Sequence, residues 1–281
     1  MKNMKSFIKS AVIKPVLGAI LVAAGLGLAM SANASETAAE PKQGNWTFAG
    51  LFGTYDENQL QRGFQVFKEV CAGCHGAKLI AFRTLAEEGG PGYSEDQVKA
   101  LAATFTIADP EAPDGERPGV PADRWPSPFT TQEAIDSFGI EPPDFSVLAK
   151  ARSIHQPFPY WVFNYFTAYQ EGGPDFIYSL LTSYEENPHG VEVPEGKYYY
   201  GYPGSALSMP PPLSDGLVDY EGDAPETVDQ YAQDVAAFMM WMADPHMVER
   251  KATGFRVLIF LFLFAGFMYL VKRKLFSNVA H

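Results

Sequence analysis

Residues 62–75 read RGFQVFKEVCAGCH. In the last five positions Cys71 and Cys74 lie three apart and His75 follows at once. At this spacing both thiols can add to the vinyl groups of a haem while the imidazole binds its iron. A bare C-x-x-C also fits a dithiol redox pair or half a zinc site. The chain holds only these two cysteines, so further thiolate ligands for zinc are missing, and the adjacent histidine favours the haem reading. Upstream, Leu60, Phe64, Phe67 and Val70 recur at helical spacing and predict a helix over 58–70 that runs straight into Cys71. Gly63 beside Phe64 either lets a second helix pass close by or is a blemish costing about 1 kcal/mol relative to alanine.

A low-spin electron-transfer haem needs a sixth ligand, and methionine is the usual choice where a high potential is wanted. Met239, Met240 and Met242 belong to the stripe of a predicted helix, Met247 follows it beside charges, and Met268 lies in an apolar tail. Met209 differs. It sits in the loop GSALSMPPPL, residues 204–213, where three prolines restrict the backbone and would hold a thioether in place. Met209 is therefore the expected ligand, the alternative being a core methionine before a turn. His155 and His189 are ligands by residue type only and read as surface histidines.

The net charge of −12 conceals a division along the chain. Residues 35–249 carry all 33 acidic residues against 11 basic ones, whereas both ends are basic and free of acid. A body this acidic repels nucleic acid and suits a basic partner. At the start, lysines lead into an apolar run from Val16 to Met30 and then Ala32-Asn33-Ala34, a signal-peptidase pattern that predicts a cleaved leader over 1–34. Residues 35–250 would form an exported haem domain, which fits the attachment of haem to its cysteines outside the bacterial cytoplasm. Thr227 to Ala243 predicts a strong helix, opened by a capping box Thr227-Val228-Asp229-Gln230 and expected to cross the haem-bearing one. After Asp244-Pro245, the apolar run over 253–271 predicts a membrane anchor spanning 251–272, with 273–281 in the cytoplasm.

Between Gly89 and Pro143 the chain is dense in glycine, proline and acid, and predicts long ordered loops with short helices, such as one near 95–105. Loops of this length inside a domain usually wrap something, and a covalent haem would supply it. The aromatic run over 154–169 predicts side chains packed within the fold, with a membrane or partner surface as the alternative.

Taken together, RGFQVFKEVCAGCH (62–75), FRTLAEEGGPGYS (82–94), RPGVPADRWPSPF (117–129), PPDFSVLAKAR (142–152), YYYGYPGSALSMPPPL (198–213) and DVAAFMMWMADPHMVERKATG (234–254) resemble the cytochrome c1 family in its alphaproteobacterial form. That family is the haem subunit of the quinol:cytochrome c reductase (cytochrome bc1) complex. The resemblance implies a mostly α, class I cytochrome c-like domain with long loop insertions and one C-terminal transmembrane helix. It implies one covalent haem c on Cys71 and Cys74, with His75 and Met209 as axial ligands and Arg152 at a haem propionate. The implied role is electron transfer from the Rieske iron-sulfur protein to a cytochrome c, beside cytochrome b and membrane lipid. The setting would be a dimeric complex in the bacterial inner membrane, with the haem domain on the periplasmic side and this subunit non-catalytic on its own. Rival readings are an anchored c-type cytochrome outside that complex and a haem-based ligand sensor. One departure from the family pattern is Phe176, which lacks the hydroxyl of the tyrosine often found there.

Overall fold

Two helices crossing at a glycine form the centre of the molecule. The computed structural model describes residues 39–277 apart from Ala168, Asn187 and His189, so the expected leader over 1–34 and the histidine at 189 lie outside the described residues. Helix α1, Glu57–Val66, is opened by Asp56, whose carboxylate accepts the Gln59 N–H at 2.7 Å. Leu60, Gly63, Phe64 and Val66 form its buried face. From Phe67 to Cys71 the helix widens into a π turn, a feature the apolar spacing did not predict.

The C-terminal part of the domain contributes the partner helix. It runs Val228–Ala243, one residue inside the predicted 227–243, and is capped by Thr227. Only half of the expected capping box forms. The Thr227 hydroxyl accepts the Gln230 N–H at 3.3 Å, but the Gln230 side chain turns away and donates to Asp234 at 3.0 Å. Gly63 settles the choice between close passage and blemish: a Cβ there would lie 2.7 Å from the Phe238 Cβ and 2.8 Å from the Asp234 carbonyl carbon. Only glycine permits so close a crossing.

Around this crossing the middle of the chain is wrapped in short pieces. Strand β1, Ala77–Ala81, leads into a 3-10 turn over Phe82–Ala86. Helix α2, Glu95–Ala103, has a full capping box between Ser94 and Gln97. The antiparallel pair β2, Thr106–Ala108, and β3, Glu116–Pro118, follows, and then β4, Arg124–Trp125, which pairs with β1. Helix α3, Thr131–Phe138, is capped by Thr130 and closed by Gly139 at φ +70°, a left-handed conformation that glycine adopts without strain. The expectation of ordered loops with short helices holds, though small strand pairs were not foreseen. Trp125 is the hub of this layer, its ring 4.8 Å from Phe105, 5.1 Å from Phe67 and 5.2 Å from Phe82.

Helix α4, Leu148–Ala151, precedes α5, Tyr160–Thr167, and α6, Gly172–Leu181. A three-stranded antiparallel sheet, β5 Tyr184–Glu185, β6 Tyr198–Tyr200 and β7 Ser205–Leu207, carries the chain toward the C-terminal helices. These are α7, the Val228–Ala243 partner of α1, and α8, Met247–Leu275. Helix α8 is long and apolar enough to cross a membrane and is exposed along 252–277, as in a single-pass membrane protein.

In one place the structure overturns the sequence reading. Most of the aromatic run over 154–169 does not pack inward: Phe158, Tyr160, Trp161, Phe163 and Phe166 are all exposed, whereas Tyr169 is half-buried and donates to the buried Asp175 at 2.5 Å. With eight residues and aromatics on several sides, α5 has too little inward face to bury them.

Candidate functional site

The π turn delivers Cys71 at the end of a rigid helix. The Ala72 N–H donates to the Phe67 carbonyl at 2.7 Å, while the Cys71 carbonyl accepts the N–H groups of Cys74, at 3.1 Å, and His75, at 2.9 Å. These bonds fold CAGCH into one tight turn that presents both thiols and the imidazole together. Both cysteines are free thiols, Cys71 half-buried and Cys74 exposed. Burial, assisted by the neighbouring Cys74, pushes the Cys71 thiol up to about 12, so it is an un-ionised S–H at neutral pH.

His75 is fixed from a distant part of the sequence. Its Nδ1 lies 2.8 Å from the Pro143 carbonyl oxygen, and its ring stacks on Phe145 with centroids 4.2 Å apart. A carbonyl can only accept, so Nδ1 carries the proton and Nε2 keeps its lone pair. Burial holds the imidazole below its usual pKa, against the raising effects of the Pro143 bond and Asp144. The neutral ring with a free Nε2 is the form that binds metal.

The 143–146 segment is itself laced to the strand that follows His75. Phe145 N–H donates to the Gly76 carbonyl at 2.8 Å, Asp144 accepts the Lys78 N–H at 2.8 Å, and the Ser146 hydroxyl accepts the Leu79 N–H at 2.9 Å. Pro143 and Phe145 were not singled out as site residues in the sequence. Their signal was the PPDF motif, whose partner lies 68 residues away.

Met209 comes from the other side of the chain, just past β7. Its carbonyl accepts the hydroxyl of the fully buried Tyr200 at 3.1 Å, and residues 211–213 beyond it are half-buried. The sheet thus anchors the main chain of Met209, leaving its side chain half-exposed. Among the described residues, no hydrogen bond joins Met209 to the CAGCH turn. Arg152 ends α4; it is exposed and has no carboxylate partner among the described residues. His155 is exposed, as expected of a surface histidine. Phe176 rests edge-on against Tyr202, with centroids 5.6 Å apart.

The profile of the Cytochrome C1 family matches residues 46–279, which include all of these groups. The chain belongs to the cytochrome c1 family. Cytochrome c1 proteins carry one covalent c-type haem and serve electron transport in the cytochrome bc1 complex. The chain is 50% identical to the cytochrome b/c1 protein of Bradyrhizobium diazoefficiens over 92% of its own length and 39% of that protein's. It is 44% identical to cytochrome c1 of Blastochloris viridis, covering 83% of this chain and 85% of the relative. Identity to cytochrome c1 of Rhodospirillum rubrum is 41%, over 93% and 97% of the two chains. The donor set suits a cytochrome c1 haem: two unpaired thiols on one turn and an imidazole whose second nitrogen is already bonded.

Proposed function

We propose that this cytochrome c1 relays one electron from a Rieske iron-sulfur protein to a cytochrome c, in a dimeric complex with cytochrome b. Cys71 and Cys74 would hold a covalent haem through their sulfurs, His75 Nε2 and Met209 Sδ would bind its iron, and Arg152 would pair with one of its carboxylates. A bound haem supplies a one-electron ferric–ferrous couple. The chain's own residues would fix and tune it: Pro143 and Phe145 lock the imidazole, Tyr200 restrains the methionine loop, and the Arg152 guanidinium, which has no carboxylate partner among the described residues, can grip one. The haem domain, residues 35–250, sits on the periplasmic side of a bacterial inner membrane. Residues 251–272 cross it and 273–281 lie in the cytoplasm.

The hydrogen bond from His75 Nδ1 to the Pro143 carbonyl carries this reading, because it commits one ring nitrogen as donor and leaves the lone pair of the other for a metal. Replacing Met209 with leucine tests it. The variant keeps its haem, its midpoint falls by on the order of 0.1 V within the about 0.8 V range that axial ligands span, and the reduced form binds carbon monoxide. An unchanged midpoint and spectrum would remove Met209 from the assignment. Carbon monoxide binding to the unsubstituted protein would favour a ligand sensor instead.

A further inference from the structure

The exposed aromatic helix α5 has a position that accounts for its composition. Phe158 and Phe166 are 77% and 79% exposed, and Tyr160, Trp161 and Phe163 present further ring surface beside them. Five exposed aromatic rings within nine residues mark contact with something other than water.

The contacts around its C-terminal end identify what that is. The Thr167 carbonyl lies beside Gly50, where a Cβ would come within 3.9 Å of it, and the Gly50 N–H donates to Glu171 at 3.1 Å. The same loop is bolted to α8. Lys251 donates to the carbonyls of Phe48 at 2.7 Å and Gly53 at 3.5 Å, and the exposed ring of Phe52 meets Phe255 edge-on at 5.4 Å. Lys251 is also where α8 leaves the domain, since every described residue from 252 onward is exposed. One loop therefore joins the end of α5 to the point where the apolar run of α8 begins.

Charge agrees with position. Residues 152–170 contain no acid, although the surrounding body, 35–249, carries 33. Arg250, Lys251 and Arg256 stand at the top of α8 against one acid there, Glu249, although Arg250 is paired with Asp244. An acid-free stretch rich in Trp, Tyr and Phe, beside basic residues at the head of a membrane-spanning helix, has the chemistry of the headgroup layer.

We propose that α5 and loop 50–53 form an aromatic foot that seats in the headgroup layer of the bilayer from which α8 descends. This rests on the reading of α8 as a membrane-spanning helix. The foot gives the domain a second point of attachment beside the spanning helix.

The test is photolabelling of the full-length holoprotein in nanodiscs of phosphatidylcholine with a minority of phosphatidylglycerol, using a lipid whose acyl chain carries a diazirine near its carbonyl end. Mass mapping should find label on 50–53 and 158–167 as well as on α8. The double variant F163S/F166S should lose label several-fold from 158–167 and keep it on α8. In the intact purified complex in the same nanodiscs, label on α5 should persist. Label on α8 without label on α5 overturns the proposal alone. Label on α5 that disappears in the complex also overturns it, in favour of a protein partner. An unlabelled α8 overturns the membrane-spanning reading and the foot together.

Discussion

Replacing Gly63 with alanine adds one methyl group at the crossing of α1 and α7, and two opposed effects decide the outcome. In the helix itself alanine is preferred to glycine by up to about 1 kcal/mol. Against this, the new carbon would lie 2.7 Å from the Phe238 Cβ and 2.8 Å from the Asp234 carbonyl carbon, and closer still to the Asp234 carbonyl oxygen. None of these atoms is the movable end of a side chain, so the helices must separate. Overpacking in a core costs about 1–3 kcal/mol, and fixed neighbours put this site at the upper end. Separation also loosens Phe64 and Phe67 from Phe238, where centroids now stand 5.5 and 5.6 Å apart. The net loss is about 2 kcal/mol. For a domain of this size that corresponds to a fall of about 4–8 °C in Tm. Thermal unfolding of the detergent-solubilised holoprotein, followed by far-UV circular dichroism at one fixed scan rate, measures it. Gly254→Ala on α8 is the control: its Cβ would meet nothing within 4 Å, and its Tm should stay level or rise. A Gly63→Ala protein as stable as the parent would refute the close-crossing argument.

Other consequences are as direct. Asp234, fully buried, holds Arg62 through two bonds of 2.8 and 3.1 Å and accepts the Tyr220 hydroxyl at 3.1 Å and the Gln230 amide at 3.0 Å, so Asp234→Ala strands all three partners. A loss of about 3 kcal/mol is expected in denaturant titration. The Asp123 carboxyl is pulled down to about 2 by its paired bonds to Arg117 and by the Val120 N–H. Because that pKa is depressed below the ordinary 3.8, the pair stabilises the fold above pH 3.8 and loses its effect as pH falls toward 2. The Tm difference between the parent and Arg117→Gln should therefore be present at pH 6 and vanish across that acid window. Exposed acids in 109–116 and 221–229 should steer a basic cytochrome c, so stopped-flow association should slow on the order of tenfold as salt screens them. Rates indifferent to ionic strength would exclude steering.

The long elements were legible because their signals are local and repeated. Leu60, Phe64 and Phe67 mark α1 and the π turn that continues it by spacing, Thr227 marks the start of α7, and the unbroken apolar run marks α8. Gly63 was readable as one of two alternatives, and only the position of Asp234 decided between them. Helix α3 was missed although Thr130 and Glu133 supply a complete capping box, because its eight residues lie within a proline-rich stretch. Helix α6 was missed for a different reason. It opens Gly-Gly-Pro, which reads as a loop, yet Gly173 is glycine because a Cβ there would lie 2.6 Å from the Ala149 carbonyl carbon. At the site, the CAGCH turn announces its chemistry, whereas the bond from His75 to Pro143 depends on chain return across 68 residues and leaves no periodic trace. The outward-facing rings of α5 show the same limit: aromatic content reports that a surface is apolar but not what covers it.

The junction between α7 and α8 is keyed at several points. The Tyr55 hydroxyl reaches the carbonyls of Met240, at 3.2 Å, and Asp244, at 3.3 Å; Lys150 and Arg250 both grasp the Asp244 carboxylate; and Lys251 is seated on the Phe48 and Gly53 carbonyls. Such a mount resists swivelling, so the redox end would keep a constant height and heading above its stalk. Any traffic over longer reach then falls to the molecules that visit it.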